Sequence, residues 1–162
     1  VRCEKIVVDM QNFLFADSVA TAFKKSDYEI DVVRTESQND TVELCKLYKP
    51  FVLIMEVTGY TPWKLCERMK LRDEVKRVCP DCKIAFIVDS NTEKQAAKDI
   101  RDAKKNGLID QFFYGIMTAE YLMDQIYAIK EMEEPPEEIC VYDPTDRKKK
   151  SEVKKAVFHK QL

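Results

Sequence analysis

Short apolar runs alternate along this chain with longer segments in which apolar residues recur every three or four positions. The short runs predict buried β-strands, and the longer segments predict amphipathic helices. The predicted strands cover residues 4–9, 28–34, 51–56, 83–88 and 108–114. The predicted helices cover residues 12–25, 40–48, 61–78, 92–107 and 118–132.

Residue types that favour helix ends support three of these boundaries. Thr61 followed by Pro62 predicts a helix start, because it combines a capping hydroxyl with proline at the first helical position. Thr92 with Gln95 forms a capping-box pattern at the start of the next helix, and Gly107 is placed to terminate it.

The regular alternation of strand and helix predicts a parallel sheet covered by helices on both faces. A closed barrel of this type would need roughly 250 residues, whereas the chain has 162. We therefore predict a doubly wound, three-layer α/β sandwich with a five-stranded parallel sheet, formed by residues 1–132.

The composition changes after residue 132. Residues 133–146 begin with an acidic, proline-containing stretch that predicts a linker. Residues 147–162 then hold seven basic side chains and one acid. This basic tail is interpreted as a solvated tail or the beginning of an effector domain, with contact to DNA or an acidic partner, or a dimerisation helix, as the alternatives.

Charge and cysteine content limit the possible environments. The net charge is −2, and the residues are 45% hydrophobic and 35% charged, which is typical of globular proteins. No apolar stretch reaches the roughly 18 to 20 residues that cross a bilayer, so no membrane partner is expected. The six cysteines show no disulfide spacing, which favours free thiols and a cytoplasmic location.

Acidic residues stand at the ends of three predicted strands. Asp9 ends the first strand, Glu56 ends the third, and Asp89 follows the fourth. Because the carboxyl ends of parallel strands meet at one edge of the sheet, these residues predict an acidic pocket there. Like charges brought this close would repel one another.

Three stretches of sequence resemble a known family. Residues 7–9, 49–56 and 107–110 are similar to the first strand, the lysine-proline-led third strand and the glycine-led turn before the fifth strand of response-regulator receiver domains. The resemblance extends over residues 5–130, about four-fifths of the chain. It implies the flavodoxin-like (CheY-like) fold and a role in two-component, phosphorelay signalling.

The resemblance also implies a phosphorylation site, and the chain departs from it. Of the two acids that hold Mg²⁺ in receivers, Asp9 is retained and Met10 replaces the second, although a thioether is a poor Mg²⁺ ligand. Glu56 occupies the position of the phosphoacceptor aspartate in receivers. Val88 occupies that of the threonine or serine that binds the phosphoryl group, and Tyr114 occupies that of the lysine that pairs with it. These changes predict a degenerate pseudo-receiver that is not an enzyme.

Several roles remain open for the residues of this pocket. Glu56 is interpreted as a fixed charge that imitates the phosphorylated state, or as a residue making one structural hydrogen bond, with residual Mg²⁺-dependent phosphorylation as the alternative. No cofactor and no metal are predicted. Asp9 with Glu56, or with Asp89 as a second acid, is only a weak candidate for Mg²⁺.

Cys79 and Cys82 form the chain's C-x-x-C pattern, which is typical of redox pairs and of half zinc sites. A second such pair is missing, and the single histidine, His159, lies in the basic tail. We interpret these thiols as loop residues, with zinc binding and redox chemistry as alternatives.

The favoured function is a signalling module that contacts a protein partner, or a second copy of itself, through the last helix and last strand. Tyr121, Leu122 and Ile126 are the candidate contact residues. The alternative is a flavodoxin-like protein that binds a small molecule or a metal at the same strand-end crevice.

Overall fold

The computed structural model of the chain describes residues 4–37, 39–89, 93–115 and 117–131. Within these residues, strands and helices alternate throughout. The strands are β1 (Glu4–Asp9), β2 (Ile30–Arg34), β3 (Val52–Val57), β4 (Lys83–Val88) and β5 (Gln111–Tyr114). The helices are α1 (Phe13–Lys25), α2 (Thr41–Tyr48), α3 (Leu65–Val78), α4 (Lys94–Lys105) and α5 (Ala119–Lys130).

The five strands form one parallel sheet in the order β2-β1-β3-β4-β5. This order makes β3 the central strand and confirms the predicted doubly wound, flavodoxin-like (CheY-like) fold. The apolar runs are continuous because helices cover both faces of the sheet, so successive side chains are buried on either side.

Two hydrophobic cores lie on opposite faces of the sheet. Side chains of β3 alternate between them, with Leu53, Met55 and Val57 in one and Val52 and Ile54 in the other. The first core is completed by α2, α3 and α4, and the second by α1 and α5. This division gives the three layers of the sandwich.

Polar caps begin two of the helices. The Asn12 side chain accepts a hydrogen bond from the Phe15 backbone N–H (3.1 Å), and the Thr118 hydroxyl accepts one from the Tyr121 N–H (3.1 Å). Each cap satisfies a backbone donor that the first turn of a helix leaves without a partner. The predicted starts of the first and last helices are confirmed.

The prediction that Thr61 and Pro62 begin a helix was wrong, because α3 begins at Leu65. The chain instead turns: the Thr58 N–H donates to the Trp63 carbonyl (2.9 Å), and the Trp63 N–H donates to the Tyr60 carbonyl (2.8 Å). Backbone groups bonded within this loop cannot join a helical ladder, so the helix starts after it.

Other boundaries differ by a few residues. β2 and β5 are shorter than predicted and begin at Ile30 and Gln111. Gly107 follows α4 with a φ of +74°, a left-handed conformation that glycine adopts readily, as expected of a helix terminator. Thr92, residues 133–146 and residues 147–162 lie outside the described residues, and so do the predictions made for them.

Two of the three predicted contact residues on the last helix are buried. Leu122 and Ile126 are both 0% exposed and belong to the core between α5 and the sheet, so the prediction that they form a surface contact was wrong. Tyr121 points outward and is 53% exposed. No helix in the described ranges is long and apolar enough to cross a membrane.

Candidate functional site

The candidate site lies at the edge of the sheet where β1, β3 and β4 end. Asp9 is the last residue of β1 and pairs in register with Met55, which places it beside Glu56 on the neighbouring strand. The parallel arrangement therefore brings these two acids to one edge, as the sequence indicates.

Asp9 forms a buried ion pair with Arg68, a residue in the first turn of α3. One guanidinium nitrogen of Arg68 donates to Asp9 Oδ2 (2.8 Å), and the other donates to Oδ1 and to the Asp9 carbonyl (both 3.2 Å). The exposed fractions of the two side chains are 4% and 7%. Two parallel bonds of this kind fix the geometry of a pair as well as its charge.

Arg68 also connects the two strands. Its Nε donates to the backbone carbonyl of Glu56 (2.8 Å), so one guanidinium binds the ends of β1 and β3 together. A buried charge is costly unless it is paired and hydrogen-bonded, and this one is both. The buried guanidinium is therefore compensated by both strands.

Thr41 completes the set of partners around Asp9. This residue opens α2, is 0% exposed, and its hydroxyl donates to Asp9 Oδ2 (2.6 Å). Both carboxylate oxygens of Asp9 are thus occupied by donors from α2 and α3. A metal ion would have to displace them.

Sequence reasoning missed both Arg68 and Thr41. A signal for Arg68 was present, because Arg68 and Arg72 occur one turn apart on the same stretch of α3 as the buried residues Met69 and Val75. An arginine on the buried face of a helix indicates that its guanidinium has a hydrogen-bond or ion-pair partner inside the protein. For Arg72 that partner is the Leu108 carbonyl, which accepts from its Nε (2.9 Å).

Glu56 has a different partner from Asp9. Its Oε1 accepts a hydrogen bond from the backbone N–H of Gln11 (2.8 Å), in the loop that follows β1. The carboxylate is half-buried at the end of β3. Glu56 therefore makes the structural hydrogen bond that was one of its predicted roles and holds the β1–α1 loop against the strand end.

The remaining residues singled out from the sequence lie at the same strand ends, but their side chains occupy different environments. Met10 is 3% exposed in the core beneath α1 and α5, whereas Val88 is 0% exposed in the opposite core. Asp89 is exposed, and its backbone carbonyl accepts from the Glu93 N–H (2.8 Å). Tyr114 is 38% exposed. The positive charge that balances Asp9 is that of Arg68.

The residues at this edge do not fit a Mg²⁺ ion. Mg²⁺ requires several oxygen ligands in near-octahedral geometry. Asp9 is bound by Arg68 and Thr41, Met10 offers sulfur in the core, and a guanidinium would repel the ion. Among residues 4–37, 39–89, 93–115 and 117–131, no group of three or more His, Cys, Asp or Glu is placed to hold a metal.

Comparison with solved structures shows which proteins share this fold. A response regulator from Thermotoga maritima has 14% sequence identity and a TM-score of 0.63, covering 81% of this chain and 100% of its own. A CheY-like response regulator receiver domain protein from Methanospirillum hungatei JF-1 has 10% identity and a TM-score of 0.60, covering 80% and 96%. The fold is therefore that of response-regulator receiver domains.

A further structure extends the comparison to an orphan response regulator of H. pylori, which has 10% identity and a TM-score of 0.58, covering 78% of this chain and 95% of its own. No protein-family model matches the chain, and no curated protein sequence matches it significantly. At these identities the likeness concerns the fold, and function has to be argued from the site.

Proposed function

We propose that the chain is a receiver-like signalling domain that accepts no phosphoryl group and acts by contact with a protein partner. The observation that carries the proposal is the buried pair between Arg68 and Asp9. Phosphoryl transfer to a receiver relies on a metal ion held beside the acceptor carboxylate, and this chain holds a guanidinium against the acid that would bind it.

The guanidinium is a permanent cation. Arginine stays protonated at all physiological pH values, and its fork of donors matches a carboxylate. Removing either partner would leave a buried charge without compensation, which costs several kcal/mol. Binding of Mg²⁺ to Asp9 would have to offset the cost of breaking this pair. This cost favours a domain that functions without Mg²⁺.

Glu56 supports the same proposal. Its carboxylate is anchored by the Gln11 N–H (2.8 Å), while an acceptor must be free to attack the phosphorus atom in line. Compared with aspartate, its additional methylene also displaces the carboxylate from the position that an acceptor would take. A fixed negative charge that imitates the phosphorylated state remains part of the proposal for this residue.

A surface groove beside β5, the edge strand of the sheet, supports the contact function. The groove has a volume of about 510 Å³ and lies between β5 and the first turns of α5. All its lining side chains are uncharged, and they are Gln111, Phe112, Phe113, Tyr114, Met117, Thr118, Tyr121 and Gln125. An uncharged aromatic groove on a chain with 35% charged residues has the composition of an interface core.

Basic side chains of α4 border the groove, and α5 carries exposed acids. Arg101 and Lys104 of α4 donate hydrogen bonds to two groove residues (3.0 and 2.7 Å), while Glu120 and Asp124 are exposed on α5. In a two-fold pair, the basic border of one copy can face the acids on α5 of the other. We therefore propose a second copy of this chain as the partner at this surface.

A phosphorylation assay tests the first part of the proposal. The purified chain is treated with acetyl phosphate and Mg²⁺, and separately with beryllofluoride and Mg²⁺. We expect an unchanged intact mass and unchanged amide NMR shifts at β1, β3 and the loops after them, because the Asp9 oxygens are already bound.

The matched control is the Glu56→Gln variant, with a phosphorylatable receiver as the positive control. A phosphate adduct that forms on the wild type and is lost in Glu56→Gln would refute phosphorylation independence. Saturable beryllofluoride shifts at these strand ends would refute it as well.

A further inference from the structure

A cluster of thiols lies at the sheet edge opposite Asp9 and Glu56. Cys45 belongs to α2, while Cys79 and Cys82 lie in the connection that leads from α3 into β4. All three are buried free thiols, with exposures of 0%, 5% and 0%. The proposed signalling function uses none of them.

The backbone holds Cys79 and Cys82 at the ends of one tight turn. The Cys82 N–H donates to the Cys79 carbonyl (3.1 Å), which is the hydrogen bond of a β-turn. The first and last Cα atoms of such a turn lie within about 7 Å of each other. Disulfide bonds join Cα atoms at about 4.4 to 6.8 Å, so the turn brings the pair within reach.

The side chains of the pair are buried at the same turn. The Cys79 thiol donates to the Pro50 carbonyl (3.9 Å), and the Cys82 thiol donates to the Lys83 carbonyl (3.6 Å). The thiols are also close enough to affect each other's pKa, and Cys45 affects that of Cys82. Pro80 and Asp81, the two residues between them, are exposed, so the pair lies just beneath the protein surface.

The two sulfurs differ in their ease of ionisation. The hydrogen bond from Cys82 is the main cause that lowers the pKa of Cys79 to about 6; the Lys49 ammonium lowers it further, while burial and Asp81 oppose these effects. The hydrogen bonds with Cys45 and Cys79, together with burial, raise the pKa of Cys82. Cys79 is therefore the more easily ionised thiol of the pair.

We propose that Cys79 and Cys82 form a redox-active pair that closes a reversible disulfide when a small peroxide oxidises Cys79. The turn supplies the geometry, because its Cys82 N–H to Cys79 carbonyl bond holds the two residues within disulfide reach. A small oxidant suits the site because Cys79 is only 5% exposed. The proposal is independent of the proposed function, since the pair lies at the other end of the sheet.

The reaction is a two-electron oxidation of the dithiol. The Cys79 thiolate attacks one peroxide oxygen, the O–O bond breaks, and hydroxide leaves, so that Cys79 becomes a sulfenic acid. The Cys82 sulfur then attacks the Cys79 sulfur, an S–S bond forms, and the S–O bond breaks. The hydroxyl group leaves with the Cys82 proton as water, and the first hydroxide takes a proton from solvent.

Trypsin isolates this pair conveniently. Cleavage after Arg77 and Lys83 releases residues 78–83, a peptide whose only cysteines are Cys79 and Cys82. The reduced chain is treated with hydrogen peroxide, free thiols are blocked with N-ethylmaleimide, and the peptide is analysed by mass spectrometry. We expect an unblocked peptide that is lighter than the dithiol by two hydrogen atoms and that returns to the dithiol after treatment with a thiol reductant.

Two variants and one pH profile distinguish the roles. Cys82→Ser should accumulate a dimedone-trappable sulfenic acid at residue 79, whereas Cys79→Ser should yield none at residue 82. In the unoxidised wild type, alkylation of Cys79 should be half-maximal near pH 6, against about 8.5 for an ordinary thiol. Circular dichroism checks that each variant is folded. The peroxide experiment on the wild type tests the proposal even if a variant does not fold.

The exposed Cys66 provides the matched control. The Cys66→Ser variant should form the disulfide of residues 78–83 as the wild type does. A peptide that keeps both free thiols while Cys66 is oxidised would overturn the proposal. Direct conversion of Cys79 to a sulfinic acid in the wild type, without a disulfide, would overturn it as well.

Discussion

A single arginine determines how the acidic edge of this domain behaves. Arg68 binds both carboxylate oxygens of Asp9 and the main chain of Glu56, and its side chain is 4% exposed. Arginine suits this position because its planar group offers several donors in fixed directions. The guanidinium also supplies a positive charge at the edge where receivers hold a metal ion. Because Arg68 belongs to the chain itself, this charge is present without any bound ion.

Loss of this charge should be costly. We expect Arg68→Met to lower the free energy of unfolding by about 3–5 kcal/mol, because it leaves the Asp9 carboxylate buried without its partner. Chemical denaturation followed by circular dichroism measures this change. Arg77→Met, on the exposed side of the same helix, should change stability by less than about 0.5 kcal/mol.

A double variant separates the ion pair from the packing of the arginine. Asp9→Asn combined with Arg68→Met should cost less than the sum of the single changes, with a coupling of about 1 kcal/mol or more. Additive costs would show that the two side chains do not stabilise each other. Equal costs for the variants at residues 68 and 77 would also contradict this role of the pair.

At the scale of elements, α2 contacts both the acidic edge of the sheet and the thiol cluster. Thr41 at its first position binds Asp9, and Cys45, one turn further along, is close enough to Cys82 to raise the pKa of that thiol. A helix rises about 1.5 Å per residue, so a short helix is enough to reach from the acidic edge towards the thiol cluster. Both contacts are made by residues with 0% exposure.

The ends of the elements are where local sequence and structure agree least. Asn12 and Thr118 cap their helices with side-chain oxygens, as expected, because a cap needs only a backbone donor three residues away. Thr61 and Pro62 have the residue types of a helix start, yet the hydrogen bonds to Trp63 keep them in a turn. The residue types at Thr61 and Pro62 therefore did not decide where the helix begins.

The Asn12 cap gives a prediction at this scale. Asn12→Ala should lower the free energy of unfolding by about 1 kcal/mol, because the Phe15 N–H loses its acceptor. Thermal or chemical denaturation would measure this effect. Asn39→Ala, at an exposed position before α2, is the control and should stay within about 0.5 kcal/mol of the wild type. Equal effects would argue against a capping role for Asn12.

At the scale of the whole molecule, the fold places three separate sites around one sheet. The acidic edge lies at the carboxyl ends of the strands, the thiol cluster lies at their amino ends, and the uncharged groove lies along the β5 flank. The acidic edge and the thiol cluster are separated because a parallel sheet gives all its strands the same direction. Contact, oxidation and the internal ion pair can therefore be tested separately.

Self-association is the prediction for the groove. We expect the wild type to dimerise in a concentration-dependent manner and Tyr121→Glu to remain a monomer, because a charge would enter an uncharged surface. Size-exclusion chromatography with light scattering gives the mass of each species. Tyr60→Glu is a matched control, since Tyr60 is 73% exposed in the loop after β3. A wild type that is monomeric at every concentration would contradict the prediction.

The sequence by itself determined the order of elements and the class of fold. The bounds of β1 and β4 agree with prediction to the residue, and the other strands differ at their ends. Periodicity is sufficient for this because a strand buried on both faces must be apolar throughout, whereas a helix must be apolar along one stripe. The same reasoning placed Asp9 and Glu56 at one edge, because parallel strands share their direction.

Only the tertiary structure decided which partners these residues have. Arg68 lies 59 positions from Asp9 along the chain, and Thr41 lies 32 positions from it. Leu122 and Ile126 appeared suited to a surface, but α5 turns them into the core. A one-dimensional pattern shows that a side chain faces inward, but its neighbours come from other elements. The identity of those neighbours follows from the packing of the layers.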